Sequence, residues 1–190
     1  MKLVLLSALM LAALPAAAAN TAAVGQPAPA FSVTDTGGKA VSLADFKGKT
    51  VVLEWVNPGC PYVRKHYDSA NMQATQKGAT GGGLVWLAVN STAQGHSDYK
   101  KPADMAAWMQ QQKASATATL MDSDGKVGKA YGARTTPHMY IVDAKGTLAY
   151  AGGIDDKPTS NPADVKTAKN HVNAALADIA AGKPVAQAAT

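Results

Sequence analysis

The sequence predicts an α/β protein with a mixed central sheet and helices on both faces of that sheet. From residue 50 to residue 122, apolar runs of strand length alternate with segments of helical periodicity. Such alternation is typical of parallel strands joined by right-handed crossovers. Two further strand-like runs, 136–143 and 146–152, flank the turn AKG, which predicts a hairpin that adds antiparallel strands to one edge of the sheet.

The elements that precede the cysteine are short. FSVTD (31–35) and AVSL (40–43) predict two strands that the turn TGGK joins into a hairpin. LADFKGK (43–49) predicts one helical turn that ends at Gly48. TVVLEWV (50–56) is rich in β-branched and aromatic residues, which favours a buried central strand.

A helix and a second buried strand follow. Beyond Cys60 and Pro61, apolar residues recur at helical spacing to about Lys77, and the run GATGGG (78–83) is expected to end this helix. LVWLAV (84–89) has the length and composition of another buried strand. The strand at 50–56 and this one should therefore be parallel neighbours.

The second half of the chain continues the alternation. STAQGHSDYKK (91–101) is a polar loop, and Pro102 suits the first turn of the helix after it. ATLMD (118–122) predicts a strand, and SDGKVGKAYGA (123–133) predicts a turn and a short helix. The run 161–182 predicts a last helix, because apolar residues recur near helical spacing and a glycine can end it.

The first 19 residues predict a secretory signal peptide. Lys2 precedes the apolar run 3–14, and the alanines that follow offer an A-x-A cleavage site, which puts the mature start at Asn20. An uncleaved membrane anchor is disfavoured, because a bilayer span needs about 20 apolar residues. We therefore expect a periplasmic or secreted protein with no stable membrane association after cleavage.

The rest of the chain has the length of one domain. We expect a flexible segment at 20–30, one domain at 31–182 and a short tail at 183–190. The net charge of +5 is scattered along the sequence and forms no basic run. We therefore expect no nucleic-acid partner.

Cys60 is the one cysteine of the sequence, so it cannot form a disulfide within the mature chain. A buried apolar residue, an intermolecular disulfide, a metal ligand and a nucleophile all remain possible roles. Cys60 follows a strand and opens a predicted helix, whose unpaired N–H groups favour a thiolate. Pro61 fits the first helical position. Arg64 lies one turn further, where it either approaches the sulfur or remains a surface charge.

Two stretches of the sequence carry a family resemblance. VSLADFKGKTVVLEWVNPGCPYVRKHY (41–67) contains the cysteine, and YGARTTPHMYIVDAKGTL (131–148) places a Thr-Pro pair before a strand. Together they resemble the thioredoxin fold and, within it, the redoxin branch. That branch comprises the alkyl hydroperoxide reductase/thiol-specific antioxidant (peroxiredoxin-like) group and its thioredoxin-like relatives. The resemblance covers roughly 25–180 and implies a thioredoxin-like fold.

The resemblance implies roles for particular residues. Cys60 stands at the position of the reactive cysteine, Pro137 at that of the cis-proline facing it, and Thr136 offers its backbone to an extended partner. Val63 stands where thioredoxins have a second cysteine, so a mixed disulfide has no internal thiol to release it. Asn57 stands at the position of a peroxiredoxin threonine, where its amide can donate a hydrogen bond to the sulfur or to a peroxide.

The implied function is that of an exported thiol oxidoreductase. A peroxide or a disulfide would oxidise the cysteine, and an external thiol would restore it, with no cofactor and no metal. A non-catalytic thioredoxin-like binding module and a copper-handling protein using His138 are the alternatives. The implied catalytic residues are Cys60, Asn57 and Arg64, and the implied substrate-binding residues are Thr136, Pro137 and Pro61.

Overall fold

The computed structural model describes residues 21–190, and the predicted signal peptide at 1–19 lies outside this range. The strands are β1 (Ser32–Thr34), β2 (Ala40–Ser42), β3 (Val51–Trp55), β4 (Val85–Asn90), β5 (Ala118–Met121), β6 (His138–Val142) and β7 (Leu148–Gly152). The α-helices are α1 (Pro61–Asp68), α2 (Asn71–Gly81), α3 (Pro102–Gln111), α4 (Lys126–Tyr131) and α5 (His171–Ala180). Short 3₁₀ helices lie at Leu43–Phe46 and Pro162–Thr167.

The central sheet is mixed, which confirms the predicted α/β class. Its strand order is β5-β4-β3-β6-β7. β3 pairs in parallel with β4, and β4 in parallel with β5. β6 is antiparallel to β3, and β7 is antiparallel to β6, so the late hairpin forms the predicted antiparallel edge. β1 and β2 pair with each other in a separate two-stranded sheet.

The side chains of β3 alternate between two halves of the core. Val52 belongs to a cluster that includes buried residues of α1, α2, α3 and α5. Leu53 and Trp55 belong to a second cluster that includes residues of β2 and α4. Because helices cover both faces of the sheet, β3 is buried along its whole length, and this explains its nearly continuous apolar sequence.

The long helix predicted after Pro61 is divided in two. Ala70 has a φ of 60° and separates α1 from α2. A residue in this left-handed conformation interrupts the regular helical hydrogen bonds. The predicted stop at 78–83 takes effect late, since α2 continues to Gly81. Isolated glycines cost a helix only about 1 kcal/mol each relative to alanine, and buried residues such as Met72 anchor α2 in the core.

The last predicted helix, 161–182, is also divided. A 3₁₀ helix covers Pro162–Thr167, and Ala168 is extended with φ −76° and ψ 141°. α5 starts after Asn170, whose side chain accepts a hydrogen bond from the N–H of Asn173. The side chain of Asn170 therefore starts a new helix where periodicity alone predicts a continuous one.

Both ends of the described chain lie against the sheet. In the segment expected to be flexible, the Gly25 N–H donates to the Leu148 carbonyl at 2.8 Å. In the tail, the Ala188 carbonyl accepts from the Ala151 N–H at 3.0 Å, and Thr190 Oγ1 accepts from a neighbouring backbone N–H. These hydrogen bonds join both segments to β7, an arrangement that their composition does not indicate.

Candidate functional site

Cys60 lies at the junction between β3 and α1. It is the N-cap residue of α1, with φ −74° and ψ 124°, and Pro61 occupies the start of the helix as the sequence predicts. The Cys60 N–H donates to the Asn57 carbonyl at 3.0 Å, which closes a tight turn between strand and helix. The cysteine is half-buried, so the fold holds this residue without enclosing it completely.

The sulfur contacts the segment that leads into β6. Cys60 Sγ donates to the Thr136 carbonyl at 3.0 Å, and the peptide bond between Thr136 and Pro137 is cis. β6 pairs with β3 so that His138 lies opposite Trp55. The end of β3 and the start of β6 therefore meet at one edge of the sheet, and this brings Cys60 to the Thr-Pro pair.

Asn57 shapes the turn that carries the cysteine. Its Oδ1 accepts from the Gly59 N–H at 2.8 Å, and its Nδ2 donates to Asp98 Oδ2 at 3.3 Å. The Asp98 carboxylate also packs on Gly59, where a β-carbon would lie 2.8 Å from it. Neither hydrogen bond of Asn57 reaches the Cys60 sulfur.

Arg64 lies at the surface. Its Nε is 3.9 Å from Asp68 Oδ2, and its side chain is 65% exposed. Exposed ion pairs of this kind contribute about 0–1 kcal/mol. Of the two alternatives that the sequence left open, the structure shows the surface charge.

Val63 occupies the position one helical turn after Cys60. It is fully buried and belongs to the core cluster against which Cys60 packs. The side of the cysteine where thioredoxins have a second sulfur is therefore filled by an aliphatic side chain.

Two cavities adjoin the Thr-Pro segment that contacts the sulfur. The larger one, the Tyr62 groove, has a volume of 630 Å³ and is walled by Tyr62, Pro137 and Ile154. The smaller one, the Arg134 cavity, has a volume of 330 Å³ and is lined by polar groups that include Asn57 and Arg134. Both cavities are lined by Thr135 and Thr136. The segment that binds the cysteine sulfur is thus the boundary between the two.

The floor of the Tyr62 groove contains a buried ion pair. Lys65 Nζ lies 2.8 Å from Asp155 Oδ2 and donates to the Lys157 carbonyl at 2.7 Å. His66 Nδ1 is 2.9 Å from the side-chain amide of Asn71. Burial, the largest influence, lowers the pKa of His66 to about 4, so this imidazole is neutral at neutral pH.

His171, the first residue of α5, lines the same groove. It is 7% exposed, and its Nδ1 has no hydrogen-bond partner among residues 21–190. Buried polar atoms are nearly always paired in folded proteins. His171 therefore brings to the groove a ring nitrogen whose hydrogen-bonding capacity is unused within the described part of the chain.

Sequence reasoning missed Glu54, a carboxylate with zero exposure in the middle of β3. It accepts hydrogen bonds from Tyr67 Oη at 2.8 Å, Gln76 Nε2 at 2.9 Å and Trp86 Nε1 at 2.7 Å. Burial raises the pKa of Glu54, and the three hydrogen bonds oppose that rise. The signal available in the sequence is a carboxylate inside an otherwise apolar strand.

His138, the histidine considered as a metal ligand, lies 3.1 Å from Tyr140 Oη through Nδ1. Burial is the main cause that lowers the pKa of His138, and the charge of Arg134 adds to it. Among residues 21–190, no group of three or more His, Cys, Asp or Glu side chains is arranged to hold a metal ion. No helix in that range combines the length and apolar character that a membrane span requires.

The fold and the Cys60–Thr136 contact define a thioredoxin-like protein. Residues 24–151 match the AhpC/TSA family, and the chain belongs to that family. It is 27% identical over 125 residues to the thiol-disulfide oxidoreductase ResA of Bacillus thuringiensis subsp. konkukian, a match that covers 66% of each chain. It thus spans just under two thirds of this curated relative's length.

Two other comparisons agree with this placement. The chain is 25% identical over 141 residues to the thiol:disulfide interchange protein DsbE of Pseudomonas aeruginosa, covering 72% of this chain and 71% of that one. Among solved structures, an uncharacterized conserved protein from Geobacillus kaustophilus matches with a TM-score of 0.72 at 25% identity. That match covers 87% of this chain and 86% of the other. These findings confirm the resemblance inferred from the two sequence stretches.

Proposed function

We propose that this protein is an exported thiol–disulfide exchange protein in which Cys60 is the nucleophile. The hydrogen bond from Cys60 Sγ to the Thr136 carbonyl, beside a cis Thr136–Pro137 bond, carries the proposal. It holds the one thiol of the chain at the start of α1 and next to an open groove. The similarity to thiol–disulfide oxidoreductases named ResA and DsbE supports this choice.

The chemistry requires an external reductant. The Cys60 thiolate attacks one sulfur of a disulfide, a Cys60–substrate S–S bond forms, and the other sulfur leaves as a thiolate. Loss of the thiol proton also frees the Thr136 carbonyl, since Cys60 no longer donates to it. Because Val63 supplies no second sulfur, an external thiolate must then attack the mixed disulfide and release Cys60.

The surroundings of the sulfur favour a disulfide over a peroxide as the oxidant. The amide of Asn57 donates to Asp98, and Arg64 forms an exposed ion pair with Asp68. The amide that would otherwise bind a peroxide and the guanidinium that would otherwise approach the sulfur are therefore engaged elsewhere. The 630 Å³ groove, in contrast, is large enough for an organic substrate.

Intact-mass analysis after incubation with an excess of 2-hydroxyethyl disulfide tests the proposal. We expect one adduct on the wild-type protein that an added thiol removes, and none on Cys60→Ser. Hydrogen peroxide at the same concentration should form sulfenic acid on Cys60 more slowly. A wild-type protein that forms no adduct while it remains folded would rule out disulfide exchange, and faster oxidation by peroxide would favour the peroxidase.

Val63→Cys provides a second test of the site. Its sulfur would lie one turn after Cys60, at the spacing of a dithiol motif, and should form a disulfide under mild oxidation. The variant should then release trapped partners within the same chain and turn over as a reductase. Two free thiols in a folded variant would contradict this geometry.

Export is tested separately by N-terminal sequencing of the fractionated protein, which should show that the mature protein begins near Asn20.

A further inference from the structure

We infer that the protein acts on mixed disulfides between a peptide and a small carboxylate-bearing thiol, with one half bound on each side of Thr136. The peptide half occupies the Tyr62 groove and stays on Cys60, and the small thiol leaves through the Arg134 cavity. This inference rests on the proposed function and names its substrate class.

The first argument is the geometry of the reaction. In thiol–disulfide exchange the attacking, central and leaving sulfurs lie nearly in line, so the two halves of the substrate must extend in opposite directions. The Cys60 sulfur is hydrogen-bonded to Thr136, and cavities of 630 Å³ and 330 Å³ share this residue as part of their linings. A sulfur at such a boundary can present a different site to each half.

The second argument is the chemistry of the larger site. Tyr62 is 45% exposed at the rim of its groove, a marked exposure for a large apolar side chain, and Ile154 and Pro137 continue this apolar wall. His171 places an unpaired, buried Nδ1 at the same groove. An apolar wall with a free hydrogen-bonding atom suits a peptide segment, which offers apolar side chains and backbone polar groups.

The third argument is the chemistry of the smaller site. Its lining includes the polar side chains of Asn57, Ser91 and Thr92, and Arg134 is its exposed cation. Asp98 binds the amide of Asn57, which also lines this cavity, so one anion stands near as well. A volume of 330 Å³ is about half that of the Tyr62 groove and suits a small hydrophilic thiol. Arg134 would favour a carboxylate on that thiol.

The test is a regioselectivity measurement on the full mature protein. The probe is an uncharged peptide of about five residues with one cysteine and an adjacent tyrosine, joined by a disulfide to mercaptoacetate. In solution a small thiol should release mainly the peptide, because mercaptoacetate is the more basic thiolate and the poorer leaving group. On this protein we expect the reverse, with the peptide retained on Cys60 by about tenfold over mercaptoacetate, measured by intact mass.

Two variants with matched controls assign the halves to their sites. Tyr62→Ser should lower peptide retention about tenfold, whereas Val24→Ser, at the other large apolar residue that is exposed among residues 21–190, should not. Arg134→Gln should slow release of mercaptoacetate about two- to fivefold and leave release of neutral 2-mercaptoethanol unchanged. Lys47→Gln, an exposed cation outside both cavities, should affect neither.

The outcomes separate this inference from the proposed function. If Cys60 retained the two halves of the probe in the same ratio as a small thiol does in solution, the two-sided site would be overturned. The disulfide exchange activity would still stand. Equal slowing of charged and neutral leaving thiols in Arg134→Gln would overturn the role of the cation. A folded protein that forms no adduct with either half would remove both the exchange activity and this substrate class.

Discussion

Two buried polar clusters contain side chains from α1, and they differ in one decisive respect. In the carboxylate cluster, Glu54 accepts hydrogen bonds from Tyr67, Gln76 and Trp86 inside the core. In the groove cluster, Lys65, His66, Asp155 and His171 line an open groove of 630 Å³. The His171 Nδ1 there lacks a partner among the described residues. In the carboxylate cluster three donors bind the carboxylate, whereas in the groove cluster a ring nitrogen makes no hydrogen bond to the described residues.

This difference separates a structural role from a binding role more clearly than residue type does. Both clusters contain charged groups that the fold has removed from water, which costs free energy unless hydrogen bonds compensate. At Glu54 the protein itself supplies the compensating hydrogen bonds, so a ligand has no unpaired atom to bind there. Where an atom stays unpaired beside a groove, as at His171, a ligand can supply the missing hydrogen bond.

The largest effect should come from Glu54→Leu. The change leaves Trp86 Nε1 without an acceptor and removes the carboxylate that accepts from Tyr67 Oη and Gln76 Nε2. Each buried donor that loses its partner costs about 1–3 kcal/mol. We expect unfolding free energy to fall by about 4 kcal/mol in urea titrations. The alkylation rate of Cys60 in the folded variant should stay the same. Slower alkylation of Cys60 in a folded variant would instead assign Glu54 a role in the chemistry of the site.

A smaller loss is expected for Lys65→Met, which leaves Asp155 without its cation. Breaking a fully buried pair costs about 3–5 kcal/mol, and water in the groove should reduce this to about 2 kcal/mol. The double variant Lys65→Met/Asp155→Leu should regain most of the loss, because it removes both charges. Urea midpoints of the single and double variants give the comparison, and additive losses would show that the two side chains do not interact.

The two clusters should respond to pH with opposite signs. The pKa of Glu54 is raised by burial, so its contribution to stability is present below 4.5 and is lost as pH rises through the folded pKa. The pKa of His66 is lowered to about 4, so its contribution is present above 6.5 and is lost as pH falls toward 4. Unfolding free energies of the wild type, Glu54→Gln and His66→Gln between pH 4 and 8 test this.

Each variant should remove one of the two changes of unfolding free energy with pH. Glu54→Gln should eliminate the loss of stability at rising pH, and His66→Gln the loss at falling pH. If His66→Gln left the acid limb unchanged, the limb would have to come from carboxylates outside both clusters.

The smallest effect on stability is expected for His171→Phe. Because Nδ1 has no partner among residues 21–190, its removal should change the unfolding free energy by about 0.5 kcal/mol or less. Capture of a peptide disulfide on Cys60 should nevertheless slow, whereas capture of 2-hydroxyethyl disulfide should not. A destabilisation of 2 kcal/mol or more would instead assign His171 a structural role like that of Glu54.

Several features of the fold were predictable because they depend on neighbours along the chain. The apolar runs of β3 and β4 and the hairpin of β6 and β7 follow from local pattern. Pro61 at the start of α1 follows from its lack of an N–H, and Val63 at a buried position follows from helical spacing. In each case the physical cause acts over a few residues, so the sequence displays it directly.

The partners of the site residues are decided by tertiary structure. Cys60 meets Thr136 across 76 residues of sequence, and Lys65 meets Asp155 across 90. Asn57 donates to Asp98, which lies in a polar loop whose sequence does not indicate this contact. The left-handed conformation of Ala70, which divides the long helix, is likewise decided by tertiary structure. A local pattern records which side chains a segment buries, whereas these contacts depend on which distant segments the sheet order brings together.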